Sequence, residues 1–135
     1  MEADMSPEMA SQVLSMLTGG GSMDHINTSL ALRLIPLAQE LEDSDLVEKL
    51  LEHARRVAKT DEEQGWARFE ALKVVEASLD SYLRLAEETE RMEGVQSLSA
   101  AVNHYVALLY LAEGQLDEAR ATAQHALRLR QTIED

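Results

Sequence analysis

The chain has 135 residues with 12 Lys+Arg against 25 Asp+Glu, a formal charge of -13 at pH 7, and no cysteine. That length suits one domain with its own core. The missing cysteine excludes disulfides, thiolate nucleophiles and cysteine-held metal clusters, and acidity spread along the chain argues against a nucleic-acid or anionic-membrane surface.

Leu (21) and Ala (18) far outnumber Val (8) and Ile (3), which predicts an all-α fold, because unbranched side chains lose little on entering a helix. The first helix starts at Ser6-Pro7-Glu8, where Ser can cap free N–H groups and Pro needs no amide. Met5, Met9, Val13, Met16 and Leu17 then recur on one stripe until Gly19-Gly20-Gly21-Ser22 interrupts it. Residues 1–22 thus read as a Met-rich amphipathic arm and glycine hinge, ahead of a helical domain over residues 23–135. Thioethers adapt to varied apolar surfaces, so Met5, Met9 and Met16 are candidate partner contacts. Folded back on its own core, the same helix would be structural instead.

Ile26, Leu30, Leu34, Leu37 and Leu41 carry a helical pattern over residues 24–42, within which Pro36 predicts a kink or a short break. Asp43-Ser44 supplies a turn and an N-cap for a helix over 45–59, with Leu46, Leu50, Ala54 and Val57 inward. Arg55, Arg56 and Lys59 there offset the carbonyl end of the helix dipole. Thr60-Asp61-Glu62-Glu63 has the spacing of a capping box. Behind it Leu72, Val75, Leu79, Tyr82 and Ala86 alternate by three and four, with no Gly or Pro from Trp66 to Glu93. One helix over residues 61–93 is therefore expected. Trp66 and Phe69, one turn apart, read as a core anchor. Gly94 is the expected C-terminal cap. The next helix, 95–112, has Leu98, Val102, Tyr105, Leu109 and Ala112 on one face and Val106, Leu108 and Leu111 on another, as a central helix requires. Gly114 ends it, and the last helix turns Leu116, Ala119, Ala123, Ala126 and Leu127 inward.

Catalytic chemistry leaves no signature in this pattern. His25, His53, His104 and His125 are scattered, none lies three residues after a Glu, and HExxH, P-loop, GxSxG and Rossmann glycine motifs do not occur. The expectation is a non-enzymatic protein with no catalytic residue, metal or cofactor. The N-terminus has no basic leader region and no stretch of 18 apolar residues occurs, so a cytoplasmic location without membrane insertion is expected.

Residues 103–129, NHYVALLYLAEGQLDEARATAQHALRL, resemble a tetratricopeptide repeat, a helix-turn-helix unit of about 34 residues. Ala107 and Tyr110 match its first helix, Gly114 its turn, and Leu116, Ala119, Ala123 and Ala126 its second helix. Small residues let two helices approach closely, and glycine supplies positive φ between them. The family's Trp position is Asn103 here, and its closing Pro is replaced near Gln131. Gly65-Trp66-Ala67 with Ala71, Val74 and Val75 looks like a degenerate second helix of an earlier repeat.

The resemblance implies a short array of antiparallel helical hairpins, about five to six helices in all. It also implies an adaptor or scaffold whose groove takes a peptide or helix of another protein. Asn103, His104 and Ala107 would lie near that groove, although a polar contact between helices would equally account for Asn103. An alternative is a homodimer, because the C-terminal hairpin has an apolar outer surface and no separate helix to cover it. A third reading, a small-ligand-sensing bundle, needs an internal polar cavity.

Overall fold

The computed structural model describes residues 7–18, 23–24 and 26–134, without the side chains of residues 7, 10, 18 and 134. Met5, the Ser6 cap and the glycine hinge lie outside the described residues. Those described form seven helices and no strand: α1 (Pro7–Thr18), α2 (Thr28–Glu40), α3 (Ser44–Val57), α4 (Asp61–Val74), α5 (Leu79–Glu90), α6 (Gln96–Ala112) and α7 (Leu116–Glu134). They belong to two compact units, Met1–Lys59 and Thr60–Asp135, divided at the capping box.

In the first unit α2 packs against both α1 and α3. Its helix begins at Thr28, later than the apolar pattern suggests, because Asn27 in an extended conformation accepts a hydrogen bond from the Leu30 amide at 2.8 Å. Pro36 sits inside α2 without ending it, on the solvent-facing side, where a freed carbonyl can reach water. Ala31, Leu34, Ile35 and Ala38 are buried, whereas Leu41, expected inward, is exposed just past the last turn. That turn closes on Glu42 at φ 57°: its amide donates to the Gln39 carbonyl, and the Asp43 amide reaches the Ala38 carbonyl. The Asp43 carboxylate then caps α3 through the Leu46 amide. On α1, Leu14 and Leu17 are buried, while Met9 and Met16 stay at least half exposed. The inward face is therefore the leucine pair rather than the methionines.

Two polar contacts tie the start of α2 to the end of α3. Thr28 Oγ1 donates to the Ala54 carbonyl at 3.0 Å, one of the acceptors a helix end leaves free. The buried His53 donates from Nε2 to the Ile26 carbonyl at 2.6 Å and accepts at Nδ1 from Arg56 at 3.1 Å, which sets its tautomer.

The second unit opens with the capping box in place: Glu63 N donates to Thr60 Oγ1 at 3.1 Å and Thr60 N to Glu63 Oε1 at 3.3 Å. The single helix expected over 61–93 is in fact two. Glu76 adopts φ 52°, its amide donates to the Lys73 carbonyl, and the Ala77 amide donates to the Leu72 carbonyl. This is the paired hydrogen bonding of a left-handed helix stop, made without glycine. The β-branched pair Val74-Val75 weakens the helix there, and Ser78 in an extended conformation starts α5. Val75, expected inward, is exposed at the stop. Gly94 has the positive φ expected of it, but α5 already ends at Glu90.

Phe69, Tyr82, Leu85, Val95, Leu98, Val102 and Val106 form the core of this unit, with Trp66 packed at its margin. Aromatic edges meet faces inside it: Phe69 lies 6.4 Å from Tyr82 and 5.7 Å from Tyr105, both near perpendicular. Lys73 covers the Phe69 ring at 4.5 Å and pairs with Glu70 at 2.7 Å. As expected of a central helix, α6 packs against α4, α5 and α7. Gly65, Trp66, Ala67, Ala71 and Val74 lie in α4, the first helix of this unit.

On α7 only Ala119 and Ala126 of the five positions expected inward are buried; Leu116, Ala123 and Leu127 are exposed. Thr122 and Leu129, half-buried, complete the inner stripe. The inner face is rotated because small residues bring α7 close to α6, which leaves the leucines on the flank.

Candidate functional site

The hairpin of α6 and α7 turns at Gly114, φ 77°, with Gly114 N donating to the Leu111 carbonyl and Gln115 N to the Tyr110 carbonyl. Its two faces differ in kind. One side of α6, Leu98, Val102 and Val106, enters the core formed with α4 and α5. Adjacent to it the small buried residues Ala100, Asn103 and Ala107 lie toward α7, whose Ala119 and Ala126 are buried in return.

The opposite side carries leucines in water. Leu108 and Leu111 on α6 are 48% and 54% exposed, and Leu116 and Leu127 on α7 are 60% and 56% exposed. Helical periodicity places all four on one side of the hairpin. Leu111 stands nine residues from Val102, about two and a half turns and so on the far side of α6. His125, whose ring meets the Glu90 carboxylate of α5, stands nine residues from Leu116, so Leu116 faces away from α5 by the same count. Because the helices run antiparallel, the two leucine pairs line the same side of the hairpin, one pair on each helix. Arg120 and Arg130, both exposed, continue the stripe of Leu116, Ala123 and Leu127.

The residues singled out from sequence are not brought together. Asn103 is buried and its amide donates to the Ser99 carbonyl at 2.8 Å, a polar tie inside α6. Ala107 is buried against the hairpin partner, and His104 alone of the three is exposed. Met9 and Met16 are exposed on α1 in the other unit, and Met5 lies outside the described residues. Sequence reading gave no site role to Leu116, Leu127, Arg120 and Arg130. Arginines interleaved with leucines along α7 were the available signal, since an inward stripe has no place for them.

The first unit contains a surface cavity of about 330 Å³, with Lys49, Arg56, Asp24 and Glu52 at its edge and His53 in its wall. Both ring nitrogens of His53 are engaged as described, so it presents no free base to the cavity. Among the described residues no three His, Cys, Asp or Glu side chains converge to hold a metal ion, and no helix is long and apolar enough to cross a membrane. Comparison with known proteins finds no matching family model, no matching curated protein and no matching solved structure.

Proposed function

We propose that this chain is a non-enzymatic, tetratricopeptide-like interaction module, an adaptor or scaffold that receives another protein on its C-terminal hairpin. The observation that carries the reading is the row of four half-exposed leucines on the side of α6 and α7 turned away from the core. Large apolar side chains grouped on one face mark an interaction surface far more often than scattered ones do. The turn at Gly114 and the buried Ala107, Ala119 and Ala126 support the repeat-like character of the hairpin. The same leucines support the second reading, in which the partner is another copy of this chain and the protein is a homodimer.

A photo-crosslinking benzoylphenylalanine placed at Leu111 or Leu127 in the native cell tests the module reading. Discrete protein adducts from both positions, and none from a control at the exposed Arg84, are expected. Adducts with the chain itself would select the homodimer. Identical background labelling from all three positions would remove the reading.

A further inference from the structure

Resting on that reading, we infer that the leucine side of α6 and α7 receives an acidic amphipathic helix of another protein. The shape of the site comes first. Leu108 and Leu111 stand along one helix, and Leu116 and Leu127 along the other. Packed helices lie about 8–10 Å apart, so two antiparallel helices with leucines on the same side accept a third helix against both. An extended strand would find no sheet edge here, since the described residues form none.

Charge then selects among helices. The outer stripes run through His104, Leu108 and Leu111 on α6, and through Leu116, Arg120, Ala123, Leu127 and Arg130 on α7. Between Leu116 and Arg130 no carboxylate interrupts them in a chain with 25 Asp+Glu, the same register reaching one only at Glu134, and neither Arg120 nor Arg130 forms an ion pair among the described residues. A ligand helix with leucines inward and glutamates along its flanks would seat its apolar stripe on the four leucines and its carboxylates on the two guanidiniums. A second copy fits less well. Across a two-fold axis at its centre the span from Leu116 to Arg130 would meet itself, and a span bearing two arginines and no carboxylate is not self-complementary. The formal charge of -13 repels an acidic ligand at long range, but at about 0.15 M salt charges beyond ~8 Å are screened and the contact pairs decide.

The probes are two synthetic amphipathic helices with the same leucine stripe, one flanked by Glu and one by Lys, titrated by fluorescence anisotropy against the full chain at that ionic strength. The Glu helix is expected to bind about fivefold more tightly, the preference two exposed ion pairs provide. The double variant Arg120→Glu, Arg130→Glu should reverse the order, and Leu111→Asp with Leu127→Asp should abolish binding while circular dichroism stays unchanged. Equal binding, a preference for the Lys helix, or no binding of either overturns the proposal. So does a sedimenting dimer that the leucine variants dissociate. Crosslinked adducts from Leu111 to a protein lacking an acidic helix would overturn this inference while leaving the module reading in place.

Discussion

Tyr82 carries the one buried side-chain polar atom among the described residues that lacks a hydrogen-bond partner. Burial, and then the ionisable phenol of the neighbouring Tyr105, push its phenol above the ordinary tyrosine range, so it stays protonated. A hydroxyl removed from water without compensation costs stability, and Tyr82→Phe deletes that cost with little change of shape. Chemical denaturation should show the variant more stable by about 1 kcal/mol. Gly65 presents the opposite case. It lies inside α4, where alanine would ordinarily gain about 1 kcal/mol, yet a Cβ there would collide with the Leu98 side chain of α6. Leu98 is fully buried among aromatic and aliphatic neighbours and has little freedom to move. Gly65→Ala should therefore destabilise by about 1–3 kcal/mol. In the Leu98→Ala background the same substitution should be neutral or favourable, a coupling readable in a double-mutant cycle.

At the level of elements, helix starts were more legible than helix stops. Asp43 and the Thr60/Glu63 pair act through side chains on amides three residues away, so the residue type alone announces them, whereas Asn27, which acts in the same way, was hidden by the apolar pattern running past it. Glu42 and Glu76 stop α2 and α4 through positive φ, a backbone state that sequence reading assigns to glycine. The long helix expected over 61–93 failed for that reason. Glu76→Gly should relieve the left-handed strain and raise stability by up to about 1 kcal/mol, with the helical signal unchanged. The leucines of α7 were misplaced for another reason. When a helix carries both an alanine stripe and a leucine stripe, periodicity finds both and cannot say which one a close neighbour selects. Small residues took the contact, and the larger ones became the candidate surface.

For the molecule as a whole, surface charge contributes little to stability but leaves a pH signature. Glu88 is held below its ordinary value of 4.5, first by the hydrogen bond from Arg68; burial opposes this next, and the charges of Arg68 and Arg91 add to the lowering. Its side chain is 42% exposed, so solvent screens most of the gain. A carboxyl depressed in the folded state adds stability above its unfolded value, and this is lost as pH falls through the folded one. Arg68→Ala should cost about 0.5 kcal/mol at neutral pH. That difference should shrink progressively once the pH drops below about 4.5, which urea titrations between pH 7 and pH 3 can follow.

The pairs of helices that pack closely are nearly all successive: α1 with α2, α2 with α3, α4 with α5, α5 with α6 and α6 with α7, with α4 and α6 one step further apart. Such wiring governs time as well as structure. Each contact closes only a short loop, so little chain entropy must be lost before packing begins. Helical chains of this kind reach the native state in microseconds to milliseconds. In stopped-flow refolding from urea the chain should be native within the first few milliseconds, and during synthesis each hairpin can form as soon as its second helix is available.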